Sequence, residues 1–401
     1  MPESASGIKA RTALEKLPLH LWLFFFLAFP FIWHVDFLEA HSLRKGFFLI
    51  LLGLHLAIRA LANVKPINFN PRPMDYLLIV FVLIRVLSSG ILTLDSINLV
   101  LCLESLMWEF SLLLFYLLLR TEAPGLAWLK RSSLYLLISL TICSLLQLSH
   151  IPFLREMTDG RLNANLFHPN VLGLFAVALG AVIFYQKASS FQNKASAICA
   201  IFLVLGSASR NALFWLLCAL FFLRPLQRRW LILLVLIVPS WQFLRMAKHP
   251  AEEYRSRIIE HFTIRSEVFK SSLNGILKQP LGVGPGQFSS KIHPHVNLAL
   301  HSFFPNPLNQ SLQKAHNLIL ETTFESGWIM FLWWLFAIYF FSKLKPSPPK
   351  TAALLLGLGS MLSVILNYPD GQILFIFLIA GAVTEDRFYI RGSIPLREEL
   401  S

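Results

Sequence analysis

Runs of Leu, Phe and Ile recur along the chain in blocks of roughly twenty residues, the length a helix needs to cross about 30 Å of hydrocarbon. No other feature narrows the fold so far. Hydrophobic residues make up 55% of the 401 and charged ones 14%, and the mean hydropathy of +0.60 lies outside the usual range for a soluble domain. The blocks continue to the C-terminal end, so a cleaved signal peptide does not account for them. The expected fold is all-α, a polytopic transmembrane bundle of about twelve spans. Their centres fall near residues 27, 54, 84, 108, 140, 177, 201, 216, 238, 328, 358 and 377. One long polar segment, roughly 248–314, interrupts them. The chain therefore divides into spans one to nine (1–247), an external loop (248–314), and spans ten to twelve with a tail (315–401).

Orientation follows from lysine and arginine in short connections, which stay on the cytoplasmic side. One face collects Lys9, Arg11, Lys16, Arg59, Lys65, Arg72, Arg120, Lys130, Arg131, Lys187 and Lys194. It also takes Arg224, Arg228, Arg229, Lys343, Lys345, Lys350, Arg387, Arg391 and Arg397. The opposite face has Arg44, Lys45, Arg155, Arg161 and Arg210 in its short connections. Both termini are thus expected in the cytoplasm and the 248–314 loop outside. Much of the net charge of +13 is then topology, and nucleic-acid binding is a poor explanation for it.

Arg210 stands against that rule, in GSASRNALFW on a short external turn. A snorkelling side chain at a helix end is one reading. The other starts from Ser207 and Ser209, good N-caps that would open a helix running inward with its positive end outward. Such an end with an arginine beside it suits an anion, particularly a phosphate. KAHNLILETTFESG repeats the arrangement, with His316 at an outward-facing helix start. There an imidazole stays neutral and able to take a proton, or simply caps the helix at the interface. A third start on the same face is NANLFHPNVLG, 163–173.

Within the loop, residues 254–278 read as an amphipathic helix, with Ile258, Phe262, Phe269, Leu273 and Ile276 on one stripe and Arg265 on it too. An arginine there points into a cavity toward an anionic partner or forms a structural ion pair. QPLGVGPGQF, 279–288, reads as a turn; its amides would suit a phosphate, but it lacks the Lys-Ser/Thr ending of a nucleotide loop. His293, His295 and His301 have no carboxylate or cysteine near them in sequence, so no metal site is expected. Cys102, Cys143, Cys199 and Cys218 fall inside apolar blocks without paired spacing and read as packing residues. Arg85 has Glu104 or Glu109 at comparable depth on the next span, and a structural ion pair is expected. No ladder of further ionisable groups is expected across the other spans.

The order of four segments resembles the O-antigen ligase and polymerase superfamily. They are Gly160 to Asn170, the Ser209-Arg210-x-Ala212 turn, a loop arginine followed by Pro-Leu-Gly-Val-Gly-Pro-Gly, and His316-Asn317-x-x-Leu320 with Glu325 and Gly327. The resemblance covers about residues 155–335. It implies a glycosyltransferase of the bacterial inner membrane, using neither metal nor cofactor, that moves a glycan from undecaprenyl diphosphate onto an acceptor at the periplasmic face. Arg210 and Arg265 match the family's diphosphate-site arginines and His316 its helix-start histidine. Trp328 and Ile329 depart from the pattern, since many relatives carry a small residue after the glycine. Among the branches, the ligase that uses the lipid A-core acceptor fits best, its basic loop helix suiting lipopolysaccharide phosphates. Polymerase is the runner-up, and a lipid-linked sugar flippase or other transporter is the reading from a different class. The implied partners are the lipid-linked donor, the lipid A-core acceptor and membrane lipids, with no nucleic acid.

Overall fold

The computed structural model describes residues 5–32, 37–61, 71–90, 96–122, 125–149, 162–164, 166, 169–184, 190–222, 266–295, 315, 317–361, 366 and 368–390. Among them every regular element is helical. In chain order these are α1 (Ala5–Ala28), α2 (Phe37–Leu61), α3 (Pro73–Ser89), α4 (Ser96–Glu122), α5 (Leu126–Leu148), α6 (Pro169–Phe184), α7 (Ser190–Ser207) and α8 (Arg210–Phe222). After the loop come α9 (266–278), α10 (Leu318–Ser326), α11 (Trp328–Lys343), α12 (Pro348–Met361) and α13 (Pro369–Ile390). Most of these helices coincide with the expected spans, and the one centred near residue 238 lies outside the described residues. The first is displaced. Pro30 disfavours helical backbone in the residue before it, so α1 ends at Ala28 and a single 3-10 turn follows at Phe29–Phe31.

By length and composition, Leu99–Glu122 and Leu126–Leu148 suffice to cross a membrane, and Leu17–Phe31, Pro169–Ile183, Lys194–Ser207 and Trp328–Lys343 are shorter apolar helices. The distribution of side chains inverts that of a soluble domain. Leu87 is 74% exposed, Met107 69% and Ile198 68%, while Arg44, Asp75 and Arg120 are at most 2% exposed. A surface of that kind is stable against lipid tails and unstable against water.

At the centre stands α6, apolar on every side, whose residues from Val171 to Ile183 that carry side chains are almost wholly buried. It packs on α5, α7, α8 and α12. Small residues permit the closest crossings. A Cβ on Gly173 would fall 2.6 Å from both Ala212 Cβ and Ser207 Oγ, and one on Gly359 of α12 would fall 2.7 Å from Leu174 Cδ2.

Charged side chains inside the bundle are more widespread than the sequence reading expects. Arg44 of α2 meets Asp370 of α13 at 2.6 Å. Asp75 of α3 takes two hydrogen bonds from Arg120 of α4, at 2.9 and 3.1 Å, and one from the Tyr116 hydroxyl. Glu122 holds Arg59 and His55, and His55 Nδ1 accepts from Trp22 at 2.9 Å. In sequence Arg44, Arg59 and Arg120 read as loop-proximal charges; the helices run on past them and turn them inward, each onto a carboxylate.

Candidate active site

Two turns meet where α8 begins. Ser209 is the cap foreseen from the sequence: its Oγ accepts the Ala212 N–H at 3.1 Å, and α8 opens at Arg210. Ser207 instead closes α7, its hydroxyl donating to the Val204 carbonyl. Between them Ala208 is left-handed, with φ +46°. The second turn, at 162–166, contains another left-handed alanine, Ala164, with φ +47°. Leu162 N–H donates to Gly206 O at 3.0 Å, and a Cβ on Gly206 would meet Leu162 Cδ1 at 2.4 Å. Gln147 of α5 fixes this second turn: its Oε1 accepts from Asn163 N and Ala164 N at 3.2 and 3.0 Å, and its amide donates to Asn163 Oδ1 at 2.5 Å. Asn211, beside Arg210, donates to Gly359 O of α12 at 2.9 Å.

The other helix start is α10. Asn317 caps it, its Oδ1 accepting from Leu320 N at 3.2 Å. Leu318 packs against the apolar core that also holds Ala212 and Leu216 of α8, so both helix starts rest on one core. Tyr368, ahead of α13, has its phenol pushed up by burial and by the charge of Glu321 on α10.

The expected span near residue 328 is broken. α10 stops at Ser326, Gly327 adopts φ +74°, and α11 resumes at Trp328. The 279–288 turn is fastened to this break. Glu325 O accepts from Val283 N at 3.1 Å and Gly284 N at 2.8 Å, while its carboxylate accepts from Phe288 N at 3.1 Å. Trp328 N donates to Pro280 O at 3.0 Å. Close approach explains the glycines: a Cβ on Gly282, at φ +89°, would fall 2.4 Å from Glu325 O. These amides serve the fold, as the plain-turn reading expects, and none of the four is left for a phosphate.

Arg85 completes the anchor. Its guanidinium reaches Glu109 of α4 at 2.8 Å, Glu325 at 2.7 Å, Ser326 Oγ at 3.1 Å and Ser105 Oγ at 3.2 Å. Of the two partners open in the sequence, Glu109 is the one; Glu104 pairs with Lys45 at 2.7 Å. Glu325, across the molecule, was not foreseen as a partner. No spacing signal links residues so far apart in sequence.

Above the break lies α9, whose contact face is Val268, Ser272, Gly275 and Ile276, set against Phe324. Phe269 and Leu273, expected on the packed stripe, are 46% and 41% exposed. They fall one position to the side because Gly275 lets the Phe324 ring approach there, where a Cβ would meet it at 2.1 Å. His295 packs edge-on to the same ring; burial, then Lys278, lowers its pKa. Among the described residues no group of His, Cys, Asp or Glu could hold a metal, and the four cysteines are unpaired. Arg265, His316 and the Arg210 side chain lie outside the described residues, as do His301 and the side chain of His293.

Residues 195–335 match the family model described as O-antigen ligase. Over that segment, about a third of the chain, it is similar to the O-antigen ligase and polymerase superfamily. No curated protein matches it. Members of that family are glycosyltransferase-like membrane proteins of lipopolysaccharide biosynthesis. The match takes in Arg210, Arg265, His316 and Glu325, whereas Gln147, Asn163, Arg85 and Glu109, which brace these segments, lie before it.

Proposed function

We propose that the chain is an O-antigen ligase, transferring a glycan from undecaprenyl diphosphate to the lipid A-core oligosaccharide at the periplasmic face of the inner membrane. The observation that carries this reading is the pair of capped helix starts inside the family-matched segment, Arg210 directly after the Ser209 cap and His316 directly before the Asn317 cap. In the mechanism, Arg210 and Arg265 bind the diphosphate, whose charge grows as the bond from the anomeric carbon breaks. His316, neutral at a helix start, takes the proton from the acceptor hydroxyl as it attacks that carbon. Attack opposite the leaving group inverts the anomeric configuration. No step calls for a metal. The external placement of this chemistry, with both termini cytoplasmic, rests on the lysine and arginine asymmetry.

Lipopolysaccharide banding in a deletion strain tests the reading. A ligase predicts loss of all capped chains with polymer accumulating on the carrier, restored by the wild-type chain but not by Arg210→Ala or His316→Ala. A single-repeat cap in the deletion strain would make it a polymerase of the same superfamily. Loss of capping with glycan-charged carrier trapped on the cytoplasmic side would indicate a flippase.

A further inference from the structure

The chain entering α10 is pinned on both sides of residue 316. On one side is the Asn317 cap. On the other, the carboxylate of Glu321 reaches back and accepts the N–H of Ala315 at 3.1 Å. An N–H ahead of a helix has no partner within it, so a buried one must find an acceptor elsewhere. Ala315 is 5% exposed and Glu321 6%, which keeps solvent from substituting for that bond. Glu321 is itself held by the helix, its own N–H donating to Asn317 O at 3.0 Å. The carboxylate faces Tyr368 from the segment before α13, and one turn further along α10 lies Glu325, paired to Arg85 of α3.

We infer that Glu321 is a positioning residue for the catalytic base: through the Ala315 N–H it fixes the backbone on which His316 is presented, rather than touching the substrate. The inference rests on the assignment of His316 as the base. It assigns a role to a carboxylate inside the helix, separate from Glu325, which serves the loop and the Arg85 anchor.

The test uses the purified full chain with undecaprenyl diphosphate-linked glycan as donor and lipid A-core as acceptor, and measures kcat and donor KM. A misplaced base slows the chemical step and leaves donor binding alone. Glu321→Ala should lower kcat on the order of 10²-fold, with donor KM changed less than about twofold. Glu321→Gln, whose amide oxygen can accept the same N–H, should recover most of that loss. Should Glu321→Ala not yield folded protein, Glu321→Met, of similar length and without an acceptor, takes its place. A wild-type kcat in the alanine or methionine variant overturns the inference. So does a glutamine variant as slow as the alanine one, or a loss appearing in KM alone. His316→Ala, assayed in parallel, separates the two ideas: full turnover there removes the base assignment, whereas a dead His316→Ala beside an unimpaired Glu321→Ala removes only the positioning role.

Discussion

The two helix starts that frame the candidate site are held by different physics. Around Arg210 the structure uses small residues, uncharged hydrogen bonds and two left-handed alanines: Gln147 grips the 162–166 turn, and Gly206 lets Leu162 lie against the next one. Behind His316 it uses buried charge, with Arg85 shared between Glu109 and Glu325 at the end of α10 and a glycine turn lashed to the Glu325 carbonyl. Among the described residues this cradle is built from uncharged groups, which suits an anionic leaving group. The ionic anchor lies at the opposite end of α10 from the Asn317 cap, so it can hold the helix without bearing directly on the helix start.

The contrast predicts unequal damage from deleting one residue of each. Arg85→Ala leaves two buried carboxylates without their cation and should cost about 3–5 kcal/mol, read as a large drop in the unfolding midpoint of the detergent-solubilised protein. Replacing the set together, Arg85→Met with Glu109→Gln and Glu325→Gln, should recover much of that loss, because no charge then remains unpaired. An Arg85→Ala variant as stable as wild type would show that the ionic anchor does no holding. Gln147→Leu comes next, since it strands the N–H groups of Asn163 and Ala164 in an apolar setting, each worth about 1–3 kcal/mol. Its activity loss should appear as a raised donor KM, because the turn it frees lies against the Arg210 helix start. A loss confined to kcat would detach Gln147 from the proposed diphosphate site.

How much of this was legible beforehand follows from which residues carry local signals. Hydropathy places most of the described helices, and the caps at Ser209 and Asn317 are visible because capping is decided within a few residues. The break at Gly327 is hidden: Phe324 and Trp328 keep the apolar run continuous across it, and only the turn packed on Glu325 demands it. Gln147 stands alone in an apolar block, and its partners 16 and 17 residues away belong to a turn with no helical or strand period. The pairs from Arg44 to Asp370 and from Arg85 to Glu325 join distant parts of the chain, and nothing in either neighbourhood announces the other. Arg59 and Arg120 look like topology markers because the positive-inside count does not ask whether a helix continues past the charge.

The smallest expected effect separates strain from packing in the neutral cradle. Ala208 and Ala164 hold φ near +46° and +47°, where a Cβ is crowded against the following carbonyl by roughly 1–2 kcal/mol. Glycine removes that crowding but adds about 0.5–1 kcal/mol of chain entropy to the unfolded state, so Ala208→Gly should be neutral or stabilising by less than about 1 kcal/mol. Ala208→Val should destabilise by more than that, since a branched side chain is least tolerated at positive φ. If the glycine variant instead lost more than about 1 kcal/mol, the methyl of Ala208 would be contributing packing that outweighs its strain. The turn would then be held by contacts, as the Arg85 end is, and the distinction between the two helix starts would narrow to the presence or absence of charge.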